Sequence, residues 1–162
     1  MAEDEAPAAW IDFLNVDGRP MDLALGRRLE AELGDDWDPE GGLCALVLCA
    51  DGERSAALNA GLWTYDPASY LPHGGPGEGT PEEHPIWVAD WEPETAAALV
   101  VAVDDAEPAD WEAFARRCYL FDARDPAARD AGRARWRAWS EAGRPLAYWS
   151  FDGSGWRLER RG

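Results

Sequence analysis

The chain has 162 residues and a formal charge of −17, from 32 acids against 15 bases, and every base is an arginine. That length suits one domain with a proper core, and 46% hydrophobic residues exclude global disorder. The acidic excess repels nucleic-acid phosphates and anionic lipid headgroups, and no apolar run approaches the ~18 residues of a membrane span. The first residues, MAEDEAPAAW, are acidic where a signal peptide is basic, so residues 1–8 are expected to be a flexible acidic tail and 9–162 a single domain. Cys44, Cys49 and Cys118 match no zinc spacing and read as small buried hydrophobes in a reducing compartment.

Residues 9–14 (AWIDFL) read as a short strand, with Ile11 and Phe13 facing opposite to Trp10, Asp12 and Leu14. Residues 20–33 have helical spacing, with Met21, Leu25, Arg28/Leu29 and Leu33 recurring at three and four, and Gly34 ends the run. An acidic turn is expected over 35–42. Residues 43–50 (LCALVLCA) are apolar throughout, the pattern of a central strand covered on both faces. Asp51 or Ser55 can cap a helix running to about Trp63.

Residues 64–85 are too rich in glycine and proline for regular structure and too long for a simple connector. Both histidines, His73 and His84, fall there, but without the carboxylate–histidine spacing of a metal site. There is no phosphate loop either: the chain has no lysine and no G-x-x-x-x-G-K-[ST]. A strand is expected at 86–88, another apolar central strand at 96–103, a helix over 105–117 with Trp111, Phe114 and Cys118 inward, and a strand at 119–121. Asp104 and Asp105 are expected to cap that helix. Residues 146–151 and 156–158 read as two strands joined by a glycine-rich turn at 153–155. Strands alternating with helices imply an α/β fold: one three-layer domain with a mostly parallel or mixed central sheet and helices on both faces.

Between those last strands lies the stretch 125–143, DPAARDAGRARWRAWSEAG. Asp125 can cap it, Pro126 suits the first helical position, and Gly143 with Pro145 stops it. At about 100° per residue, Ala128, Ala131, Ala138, Trp139 and Ala142 share one face with Arg135, the face expected to lie on the sheet. Arg129, Arg133, Trp136, Arg137 and Ser140 share the other. The setting sharpens this arginine stripe. Residues 1–115 hold 26 acids and 4 arginines, whereas residues 116–162 hold 6 acids and 11 arginines. The stripe either receives an acidic peptide or pairs with the protein's own carboxylates. Trp136 either walls a pocket or staples the helix to the last strands. Trp63, Tyr70 and Pro72 either form a small satellite core under the long loop or an apolar patch awaiting a partner. No nucleophile elbow, cysteine–histidine pair or other catalytic constellation is present, so no cofactor and no metal is expected and functional weight falls on surfaces.

The chain resembles the chi subunit of bacterial DNA polymerase III. The resemblance rests on IDFL, Leu62-Trp63, the run from Ser69 to Gly74 (SYLPHG), Gly77-Glu78-Gly79, the strands PIWV and ALVVAV, YLF, the helix pattern R-x-R-W-R-A-W-x-x-A-G and the tail YWSFDGSGW. It implies an α/β accessory subunit without catalysis in the cytoplasmic replisome. Such a subunit sits on the clamp loader and binds the single-stranded-DNA-binding protein through that partner's acidic C-terminal tail, a run of aspartates ending in a Pro-Phe carboxylate. The tail-binding positions fall on Arg129, Arg133, Trp136 and Arg137, with Asp122 beside them in place of an apolar residue. The contact with the psi subunit, or a replacement clamp-loader contact, falls on Trp63, Tyr70 and Pro72. Tight direct DNA binding and membrane attachment are not expected. The competing reading is a nucleotide-binding α/β enzyme, against which the missing phosphate loop stands.

Overall fold

The computed structural model describes residues 10–34 and 42–162. The expected acidic tail, and all but the end of the expected acidic turn, lie outside the described residues. The elements run β1 (Ile11–Asn15), α1 (Met21–Leu33), β2 (Ala45–Leu48), α2 (Gly52–Thr64), β3 (Ile86–Ala89), β4 (Leu99–Val103), β5 (Arg116–Phe121), α3 (Pro126–Glu141), β6 (Leu146–Phe151) and β7 (Trp156–Arg161). The strands form one sheet in the order β3-β2-β4-β5-β1-β6-β7. The first six strands run parallel, and β7 returns antiparallel on β6 as an edge.

The apolar runs become the centre of this sheet because a strand covered on both faces has no use for polar alternation. All residues of β1, β2, β3 and β4 are buried. Leu14, Val47, Val101 and Leu120 face α1 and α2, joining Leu25, Leu29, Leu58 and Leu62. Phe13, Leu46, Trp87 and Tyr119 face the other way, toward Trp136 and Trp139 of α3. The three-layer architecture expected from the sequence is therefore present. Burial pushes the Cys49 and Cys118 thiols up to about 12, as inert core groups.

Two helical expectations need correction. Residues 105–117 do not form a helix; they hold a single 3-10 turn at Trp111–Ala113, and β5 begins at Arg116. Pro108 lacks a donor and pushes Glu107 toward extended backbone, while Asp104 turns the chain with φ 60. Trp111, Phe114 and Cys118 are nonetheless buried. The first two lie under α3, and Cys118 lies on the α1 side as part of strand alternation. Asp104 caps no helix; its Oδ2 accepts from Arg54 Nε at 2.9 Å.

In α3 the sheet-facing stripe is rotated from the expected one. Gly132 is buried, Arg135, Trp136 and Trp139 are half-buried around it, and Ala131, Ala138 and Ala142 point to solvent. Two indoles remove far more apolar area from water than three methyl groups, so they set the rotation. Gly132 permits it: a Cβ there would stand 3.0 Å from Phe121 Cε2.

Candidate functional site

Asp125 starts α3 as its sequence suggests, accepting a hydrogen bond from Ala127 N at 3.3 Å. Phe13 of the central strand β1 then fixes the helix: its ring meets Trp136 at 5.0 Å and Trp139 at 5.5 Å, both edge-on. Tyr148 of β6 supports Trp136 from the side at 5.9 Å. Beside these rings lies a cavity of about 440 Å³. Its wall on α3 is made by Arg129, Arg133, Trp136 and Arg137; Phe121 and Tyr148 form the floor, and Arg160 of β7 closes the far side. The structure thus gathers Arg129, Arg133, Trp136 and Arg137 around one hollow. Trp136 both staples the helix and walls the cavity, so the two roles weighed for it are not exclusive.

Most C-terminal arginines are already paired. Arg116 reaches Glu32 at 2.8 Å, Arg124 reaches Asp17 at 2.9 Å, Arg144 reaches Glu112 at 2.6 Å, and Arg117 reaches Glu112 at 3.3 Å. Arg135 folds over Tyr119 at 4.7 Å and donates to Asp105 O. In the cavity, Arg129 has only its exposed neighbour Asp130 at 3.4 Å. Among the described residues, no acid lies within ion-pair distance of Arg133, Arg137 or Arg160. Glu141 is the one carboxylate in the lining. The hollow is therefore cationic with an aromatic base, a combination able to hold an anion attached to an apolar group. Burial pushes the Tyr148 hydroxyl above its ordinary range, with Arg160 pulling the other way. Asp122 is not in the lining; its Oδ1 accepts from Gly18 N and Arg124 N, each at 2.9 Å.

Sequence reasoning missed Phe121, Gly132, Tyr148 and Arg160 as parts of this wall. Periodicity inside one helix cannot announce which strands lie beneath it, and Gly132 offers no side chain to mark a face, so only the helix's arginines and Trp136 were legible.

Where α2 meets the long loop, Trp63 is 48% exposed and Tyr70 76% exposed, with ring centroids 6.4 Å apart. Pro72 beside them is half-buried. Beneath, His73 is buried, stacks on Trp63 at 4.1 Å, and presents Nδ1 to Leu71 O at 2.7 Å and Nε2 to Asn59 O at 2.8 Å. It holds the loop to α2 and is spent as a ligand. His84 Nε2 lies 2.6 Å from Glu78 O. Among the described residues, the one group with ligand atoms mutually within 4.8 Å is Asp12, Glu32 and Cys118. Arg28 occupies its centre, 2.9 Å from Asp12 Oδ2 and 3.0 Å from Glu32 Oε1, so the group is an ion-pair network. The crevice past the ends of β2, β3 and β4, where open α/β sheets hold nucleotides, is lined by Asp90, Glu92, Asp105 and Glu107. Four carboxylates there oppose a phosphate.

Fold and hollow together define an α/β protein whose distinctive chemistry is a cationic hollow with an aromatic base. The family described as DNA polymerase III chi subunit, HolC, matches residues 37–147, more than half of the chain, and the chain belongs to that family. Over 59 residues it is 32% identical to the probable DNA polymerase III subunit chi of Rickettsia prowazekii (strain Madrid E). That stretch is 35% of this chain and spans about a third (36%) of the curated relative. The family is described as a subunit of DNA polymerase III, which ties the family to DNA replication. The family match ends inside β6, so α3 lies within it and β7 beyond it.

Proposed function

We propose that the protein is a replication adaptor in the cytoplasm that binds the acidic C-terminal tail of the single-stranded-DNA-binding protein and links it to the clamp loader. The observation that carries this reading is the hollow beside Trp136, ringed by Arg133, Arg137 and Arg160 with no acid within ion-pair distance of these three among the described residues. In this reading Trp136 and Tyr148 flank the tail's terminal phenyl ring, one arginine takes the chain-end carboxylate, and the others attract the aspartates.

Magnitudes say why both chemistries are needed. An exposed arginine–carboxylate pair contributes about 0.2–1 kcal/mol, so three cannot reach the ~8 kcal/mol of micromolar affinity. Burying a phenyl ring adds roughly 1.5–3 kcal/mol, and a charge-assisted bond to the terminal carboxylate about as much. Binding is accordingly weak and salt-sensitive. Titrating an aspartate-rich peptide ending in Pro-Phe at low and high salt tests this. The expected result is affinity that falls with salt and is lost in Arg133→Ala; affinity indifferent to both contradicts it.

A second contact in the same adaptor is the patch of Trp63, Tyr70 and Pro72, which we assign to a psi subunit or a replacement clamp-loader protein. Its support is the exposure of Tyr70, since an aromatic ring left three-quarters in water is poorly explained as core.

A further inference from the structure

The edge strand β7 has chemistry that nothing in α3 anticipates. Pairing with β6 sets Arg157 opposite Ser150 and Leu158 opposite Trp149; a bulge then inserts Glu159, so that Arg160 falls opposite Tyr148. With strict alternation Arg160 would pair with Ala147 and face the α1 side. The extra residue turns it onto the face of Tyr148 and α3, which is what bulges do to a side chain near a site. There its guanidinium lies over Trp136 at 4.8 Å and over Tyr148 at 5.8 Å. Tyr148 and Arg160 also belong to a second hollow of about 480 Å³, which shares these two residues with the first and is lined further by Arg19, Ser150, Arg157 and Glu159. The other acids of that hollow are spent: Asp17 on Arg124 and Arg19, Asp152 on the backbone of its own turn.

We infer that β7 is part of the peptide site and carries the aspartates upstream of the terminal ring, with Arg160 making the first carboxylate contact and Arg157 the next. This rests on the acidic-tail reading above and extends it to a strand outside the family match. Arg160 then sets the preference for acidic over neutral sequence, while the indole and phenol set the preference for a terminal ring. Glu159, unpaired among the described residues, opposes the ligand.

The test titrates two synthetic peptides ending in Pro-Phe, one with aspartates upstream and one with asparagines, against the full chain and its variants. Arg160→Gln is expected to weaken the aspartate peptide roughly tenfold and to leave the asparagine peptide within about twofold. Arg161→Gln, on the other face of β7 and stacked on Trp10 at 4.3 Å, should leave both peptides unchanged. Glu159→Gln should tighten the aspartate peptide. Equal weakening of both peptides by Arg160→Gln would make Arg160 a prop for Trp136 and overturn the inference. Unchanged binding in Arg160→Gln alongside a loss in Arg133→Ala would overturn it too, yet leave the acidic-tail reading standing. Failure of the unmodified protein to bind the aspartate peptide overturns that reading and this one with it.

Discussion

Arg28 shows how much of this molecule's charge is spent inside it. Its guanidinium bridges Asp12 and Glu32, lies 4.7 Å over the Trp149 ring, and has a side chain only 6% exposed. Trp149 Nε1 donates to the other oxygen of Asp12 at 3.0 Å. The network ties α1 to β1 and β6. Removing the cation leaves two nearly buried carboxylates answered only by the half-exposed Arg116, 3.6 Å from Asp12 and 2.8 Å from Glu32. Arg28→Ala should therefore destabilise the fold by about 3–5 kcal/mol, read from urea unfolding. A loss below about 1 kcal/mol would mean that water already reaches the network. Arg133, Arg137 and Arg160 contrast with this. They have the same side chain, but among the described residues they have no carboxylate to answer it. The sequence could count arginines but could not sort the spent from the free, because their acids come from distant positions: Arg116 is answered by Glu32, Arg124 by Asp17.

At the scale of elements, the hairpin of β6 and β7 depends on Asp152. Its Oδ1 accepts from Ser154 N and Gly155 N, each at 2.8 Å, and Gly153 takes φ 101. Those backbone donors, Gly155 first, hold the Asp152 carboxyl at about 2, below its ordinary range. The bonds thus stabilise the fold above about pH 4, the unfolded value, and are lost as pH falls through about 2. The melting temperature of Asp152→Asn should lie below that of the parent at pH 6 and coincide with it near the bottom of that window. A gap unchanged at low pH would contradict the assignment. Strands β2 and β4 were legible as unbroken apolar runs, and α3 from its cap, its proline and its glycine. The false helix over 105–117 shows where such reading stops. Trp111, Phe114 and Cys118 recur at helical spacing, yet their burial comes from a turn and a strand divided between two layers. The rotation of α3 was equally hidden, because it depends on Phe13 and Phe121 beneath the helix and on Gly132 allowing the approach.

At the scale of the whole molecule, the charge is divided along the chain. Residues 1–115 carry most of the acids and residues 116–162 most of the arginines, and three arginines with no acid partner among the described residues, Arg133, Arg137 and Arg160, meet at one hollow between α3 and β7. An acidic body discourages polyanions at large, while in the proposed function that hollow takes a short acidic segment with an aromatic end. The exposed Trp63 stands in the last turn of α2 and Tyr70 on the loop that follows, with Trp63 against buried His73, and neither is in the hollow's lining. Two separate contacts are what the proposed adaptor requires. The most direct measurement is the binding of the chain to intact single-stranded-DNA-binding protein and to the same protein lacking its last residues, at low and at high salt. The account predicts binding to the intact partner that weakens as salt rises and vanishes when the acidic end is removed. Equal binding of the two forms would contradict it.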